Sequence, residues 1–253
     1  KPHQTQLVQS AAMASVAPPK PSYRPHLPKT ILGLLSDAQL ETIIYAGEAH
    51  ASSLPGAWLL GEAAHMVHLV AEGTLGAVQF RRGFFLGDGT GCGKGRQIAG
   101  VIADNMAQGR VRAVWFSRND ALLEDARRDW NAIGGAGSDI TPQSAWKQAD
   151  AIRLDRGILF TTYATLRQPA RGDRPSRLDQ IVSWLGADFD GVIVFDEAHA
   201  MANAAGGGKG SRGPKKASQQ GMAGLALQNR LPGARILYVS ATGATTPENL
   251  AYA

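Results

Sequence analysis

The sequence predicts an α/β fold in which a mostly parallel central sheet is flanked by helices. Three observations lead there. From residue 84 onward, short apolar runs alternate with longer amphipathic stretches, the pattern of strands returning through helices. Ile158-Leu159-Phe160 and Ile236-Leu237-Tyr238-Val239 are apolar at every position, as strands covered on both faces tend to be. A glycine-rich stretch, Gly87 to Arg96, separates a strand-like run from a helix-like one. Open α/β sheets bind ligand at the carboxyl ends of their strands, where that stretch falls.

Taken in order, residues 1 to about 30 carry Pro18, Pro19, Pro21, Pro25 and Pro28 with few large apolar residues. They are expected to form an extended arm or linker. Ser36-Asp37-Ala38-Gln39 opens a helix with Leu40, Ile43, Ile44 and Gly47 on one face. Residues 54–76 read two ways: Trp58-Leu59-Leu60 suits a strand and Ala63 to Ala71 a helix. Glu62, His65 and His68 then fall at helical spacing, but no matching ligand cluster accompanies them, so a surface or half-buried helix is expected there, not a metal site. Strand 84–86 leads to helix 94–107, strand 111–116 to helix 119–131, and strand 157–161 to helix 175–185. Strand 191–195 precedes a short helix, a basic loop, a helix near 217–229 and strand 235–239.

At 253 residues and 44% hydrophobic content the chain can bury one large core, or a core with appendages. No apolar run has membrane-spanning length and no signal-peptide pattern opens the sequence. The single cysteine, Cys92, excludes an internal disulfide and fits a reducing cytoplasm. The net charge of +5 is local. Between Glu197 and Glu248 there is no acidic residue, while Lys209, Arg212, Lys215, Lys216, Arg230 and Arg235 are all basic. Glycines around four of these predict a mobile basic loop near 203–217, suited to following a phosphate backbone. Aromatic residues do not interleave with it, so no base-stacking platform is expected.

Gly87-Asp88-Gly89-Thr90-Gly91-Cys92-Gly93-Lys94-Gly95-Arg96 lies between strand and helix, as a phosphate-binding loop does. Its backbone N–H groups and the helix N-terminus suit phosphate oxygens, and Lys94 adds a full charge. Two positions depart from Gly-x4-Gly-Lys-Ser/Thr: Asp88 replaces the first glycine, and Gly95 replaces the hydroxyl that faces magnesium. A second apolar run, Gly191 to Phe195, ends in Asp196-Glu197-Ala198-His199. That acidic pair suits nucleotide hydrolysis, with Asp196 holding the metal and Glu197 polarising water. Strand 235–239 ends in Ser240-Ala241-Thr242, whose hydroxyls face the same sheet edge and can couple to the acidic motif. Ser117, Asn119, Thr162 and Arg167 occupy the loops after the remaining strands, where such groups grip phosphodiester oxygens.

In this order the motifs resemble the first RecA-like domain of superfamily 2 helicases, a P-loop NTPase fold. More narrowly they resemble the strawberry notch group. The narrower likeness rests on Gly87 to Arg96, Val194-Phe195-Asp196-Glu197-Ala198-His199, Leu227-Gln228-Asn229-Arg230-Leu231-Pro232 and Ser240-Ala241-Thr242-Gly243-Ala244. It covers roughly residues 23–253, with 54–80 unplaced. Glycine and arginine also follow the loop lysine in that group, so Gly95 is expected there. The resemblance implies an ATP hydrolase using ATP and Mg2+, with nucleotide contacts from Gln39, Gly89, Thr90, Gly91, Cys92, Gly93, Lys94, Gly95 and Arg96. Catalytic roles fall to Lys94, Asp196, Glu197 and His199, and magnesium to Asp196, with Thr90 or water replacing the missing hydroxyl. Gln39 would read the adenine edge and Tyr23 would stack on the base. The implied partners are nucleic acid, with DNA expected, and a second RecA-like domain outside this chain; the isolated piece would then hydrolyse little ATP. The alternative is a nucleotide-gated interaction scaffold in transcription or DNA-modification complexes, without motor activity.

Overall fold

The computed structural model describes residues 1–8, 17, 19–204, 206, 209–210, 213–214, 216–242, 250 and 252–253. Of the expected basic loop near 203–217, residues 205, 207, 208, 211, 212 and 215 lie outside them. Within it, β8 (Lys209–Gly210) and β9 (Gly213–Pro214) pair as two short antiparallel strands.

Six strands form the central sheet: β3 (Phe84–Leu86), β4 (Arg112–Ser117), β5 (Ile140–Pro142), β6 (Gly157–Thr162), β7 (Val192–Asp196) and β10 (Arg235–Val239). Their spatial order is β3-β10-β7-β4-β6-β5 and every pairing is parallel. Alternate side chains divide between two cores. Ala113, Trp115, Val192, Val194, Leu237 and Val239 face one layer of helices. Val114, Phe116, Ile193, Phe195, Ile236 and Tyr238 face the other. Burial on both faces explains why these strands are apolar at every position.

On the first face lie α2 (Asp37–His50), α3 (Lys94–Ala107) and α4 (Leu123–Ala132); on the second lie α5 (Tyr163–Leu166), α6 (Arg177–Leu185) and α7 (Gln219–Arg230). A short α1 (Lys29–Leu32) precedes α2. Ser36 caps α2 in a reciprocal box, its hydroxyl accepting from the Gln39 N–H while its own N–H donates to Gln39 Oε1. The buried stripe of α2 is Gln39, Thr42, Ile43, Ala46 and His50, so only Ile43 of the expected face is buried. The stripe is half polar, which is why apolar periodicity misplaced it.

Two further expectations change. Residues 19–28 are extended, but they are pinned to the domain. Glu48 accepts from the Tyr23 N–H at 2.8 Å and Asp104 from the His26 N–H at 2.5 Å, while Leu27 joins the core. Ala63 to Ala71 is not a helix. Ala63 and Ala64 take left-handed backbone (φ 54° and 56°), and Val67–Val70 forms β2, antiparallel to β1 (Ala57–Leu60). The helical spacing of Glu62, His65 and His68 disappears with it. Among the described residues no helix is long and apolar enough to cross a membrane.

Candidate nucleotide site

Register builds the site. Val239 of β10 stands level with Leu86 of β3 on one side and Asp196 of β7 on the other. The glycine loop, Ser240 and the acidic pair therefore leave the sheet side by side, spread over two strand spacings, about 10 Å. Phe116 pairs with Phe195, and Ser117 with Thr162, so the remaining loops rise from the same edge.

The loop turns on Gly91 (φ 91°) and Gly93 (φ 75°), the latter capping α3 in left-handed conformation. Lys94 folds back over it, Nζ donating to the carbonyls of Asp88 at 3.1 Å and Gly89 at 3.0 Å. Gln97, one turn further along α3 and fully buried, donates to Asp88 Oδ2 at 2.9 Å and accepts from the Thr42 hydroxyl at 3.3 Å. Asp88 at a glycine position is thus a brace for the loop, received by a glutamine that the sequence reading did not single out. Its one signal was its place on the helix face beneath the loop. Gly89 and Thr90 are exposed, and the Cys92 carbonyl lies 3.1 Å from His3 Nε2.

Gln39 is buried beside the loop: a Cβ on Gly93 would stand 2.5 Å from its Nε2. Its Oε1 already accepts from Ser36. Tyr23 is elsewhere. Its ring covers Gly47 and its hydroxyl donates to Asp104, ten residues along α3 from Lys94 and so about 15 Å from the loop. The expectation that it stacks on a base is corrected: the Asp104 carboxylate and the side-chain-free Gly47 hold it at the far end of the helix.

Asp196 ends β7 half-enclosed. Trp115 Nε1 donates to its Oδ2 at 3.5 Å, and the Glu197 N–H to its Oδ1 at 3.0 Å. Tyr163, buried on the opposite face, donates to its carbonyl at 2.7 Å. Burial and the adjacent Glu197 push the Asp196 carboxyl up to about 6, against Trp115, the Glu197 N–H and Lys94. The carboxylate is an oxygen donor of the kind Mg2+ takes, and its oxygens meet only the N–H groups of Trp115 and Glu197, which leaves lone pairs for the ion. Glu197 takes left-handed backbone (φ 52°, ψ 47°), a strained state for a non-glycine residue. His199 Nδ1 lies 3.3 Å from Glu197 Oε2, 3.2 Å from Ser240 Oγ and 3.4 Å from Thr242 Oγ1.

The four expected nucleic-acid contacts separate. Asn119 and Arg167 are exposed at the rim. Ser117 is fully buried, with no partner for its Oγ, and Thr162 is buried and caps α5 by accepting from the Thr165 N–H. A hollow of about 420 Å3 lies away from the loop, between Trp58, Phe80, Leu225 and Tyr252.

A RecA-like P-loop NTPase core is what this sheet order and this loop define. The family model "P-loop containing NTP hydrolase pore-1" matches residues 2–253, and the chain belongs to that family. It is 38% identical over 99% of its length to Protein strawberry notch homolog 1 of Gallus gallus, and 39% identical over its full length to homolog 2 of Homo sapiens. It covers 19% and 16% of those proteins. Protein FORGETTER 1 of Arabidopsis thaliana is 35% identical over 99% of the chain, which spans 18% of that protein. Among solved structures, the DUF1998 helicase MrfA bound to DNA and AMPPNP shares the fold with a TM-score of 0.54 at 14% identity, across 94% of this chain and 30% of that one.

Proposed function

We propose that this chain is the ATP-binding motor domain of a nucleic-acid-dependent, helicase-like ATPase that couples hydrolysis to translocation on or remodelling of DNA. The observation that carries it is His199, whose ring joins the acidic Glu197 to the hydroxyls of Ser240 and Thr242 on the neighbouring strand. A site that only stored nucleotide has no use for that link, whereas a motor needs its water-positioning carboxylate tied to a segment that can move.

In this reading the 87–95 loop cradles the phosphates, and Lys94 turns from its carbonyl partners to the β- and γ-oxygens. Gln39 holds the adenine edge through its free Nε2. Asp196 holds Mg2+, which when bound neutralises charge on the phosphates. Glu197, aimed by its left-handed backbone and by His199, orients the attacking water. Positioning and charge supply nearly all of the catalysis in such sites. Asn119 and Arg167 hold one strand of nucleic acid by its backbone, while Ser117 and Thr162 shape the loops beneath. DNA as the partner is supported by the fold shared with MrfA. The chain spans less than a fifth of those relatives' length, and a second RecA-like domain elsewhere in the whole protein completes the site.

Glu197→Gln in the full-length protein is the test. ATP binding is expected to persist while DNA-stimulated turnover falls by at least about a hundredfold, within the range for a lost catalytic base. Unchanged turnover sinks the motor reading, and a wild type that binds ATP without ever hydrolysing it, with or without DNA, leaves the scaffold.

A further inference from the structure

Gly95 stands where other phosphate loops carry a serine or threonine hydroxyl, and the space its side chain would take is already filled. A Cβ built on Gly95 would collide with the carboxylate of Asp129, which reaches across from α4. Glycine at this position is therefore a clearance: any side chain would drive the carboxylate out. The same carboxylate lines a hollow of about 190 Å3 together with Gln39, Gly91, Gly93 and Arg96, so it belongs to the nucleotide loop as well as to its own helix.

No salt bridge holds it among the described residues: on α4, Arg127 pairs with Glu124 at 2.7 Å and Arg128 with Asp125 at 2.8 Å. Arg128 and, less strongly, Arg96 act on it without pairing, and burial raises its pKa against them. A half-buried carboxylate beside a phosphate cradle repels the ligand that the cradle is built for, unless a cation stands between them. Carboxylate oxygen is also the donor that magnesium prefers, directly or through one of the waters it keeps.

We propose that Asp129 supplies the magnesium-facing oxygen that the loop hydroxyl supplies elsewhere, so that Gly95 and Asp129 together replace one residue. The inference rests on the nucleotide-binding reading above. It makes nucleotide affinity steeply dependent on the divalent cation: without it Asp129 opposes binding, and with it Asp129 assists.

The experiment measures the affinity of the full-length protein for a non-hydrolysable ATP analogue, in EDTA and along a Mg2+ titration. Asp129→Asn, nearly the same shape, is expected to raise the half-saturating Mg2+ concentration about 10- to 100-fold, the cost of a lost metal ligand or its support, while binding in EDTA holds or tightens. Gly95→Ser alone should lose Mg2+ dependence as serine and Asp129 compete for one space. Gly95→Ser with Asp129→Ala should regain it. An unaltered Mg2+ titration in a folded Asp129→Asn protein overturns the proposal. Should that variant fail to fold by circular dichroism, the double variant decides, and failure to recover Mg2+ dependence overturns it. A wild type that binds no nucleotide under either condition removes the nucleotide reading and this inference with it. A wild type that binds nucleotide equally with and without Mg2+ removes this inference alone.

Discussion

At the scale of single residues, the loop depends on polar groups buried beneath it. Gln97 is fully enclosed and serves three partners at once, Asp88, the Cys92 carbonyl and Thr42. Gln97→Leu keeps the volume and removes these bonds, leaving Asp88 Oδ2 and the Cys92 carbonyl without that donor, while the Thr42 hydroxyl keeps the Ala38 carbonyl at 3.4 Å. A loss of about 1–3 kcal/mol is expected, the cost of an unsatisfied buried polar group. Chemical denaturation would read it, together with weakened ATP binding; unchanged stability would show that the brace is idle. Lys94, Asp196 and the glycines were singled out from the sequence because each announces itself in a short run of neighbours. Gln97 and Asp129 were not, because their meaning lies in what folding brings to them. Asp129 approaches Gly95 from a different helix, and nothing in Arg127-Arg128-Asp129-Trp130 announces that approach.

At the scale of elements, a ladder of rings spans the sheet just below the site. Phe116, Phe195 and Tyr238 sit on the adjacent strands β4, β7 and β10 with centroids 5.2 and 5.8 Å apart and planes within 20°. Phe85 and Tyr163 extend it at either end. Phe195 is the central ring and carries the strand that delivers Asp196. Phe195→Ala is expected to cost about 3–5 kcal/mol and to lower the thermal midpoint, with scanning calorimetry as the check. Five of the six sheet strands were legible, since a strand buried on both faces is apolar throughout. The sixth, β5, is three residues long and ends at Pro142 on the sheet edge, where little apolar surface is needed. Trp58-Leu59-Leu60 falls in β1 as its apolar run suggests, but β2 was misread because Val67-His68-Leu69-Val70 is too short for alternation to outweigh the alanines and histidines before it.

At the scale of the whole molecule, the end opposite the nucleotide site is closed by a neutral histidine. His50, at the end of α2, donates from Nε2 to the Ile236 carbonyl at 2.9 Å. Burial, aided by Arg235, Arg81 and Arg110 and opposed by that carbonyl, depresses its pKa to about 4. Between pH 6.5 and 4 the unfolded chain therefore binds a proton that the folded one refuses. The contribution is fully present above pH 6.5 and is lost as pH falls towards 4, on the order of 3 kcal/mol. Urea unfolding at pH 7 and pH 5 should show the fall, and His50→Gln should flatten it. An equally steep fall in that variant would assign the sensitivity to other groups.

The line from Thr42 through Gln97 to Asp88 has a consequence over generations. A glycine restored at position 88 would leave Gln97 enclosed with a donor unused, and a leucine at 97 would leave Asp88 charged against an apolar wall. Neither change is expected to survive well alone, so the three positions should change together. Descendants of this domain should either keep all three or have exchanged all three, and a P-loop that looks irregular in one residue will prove to be regular in three.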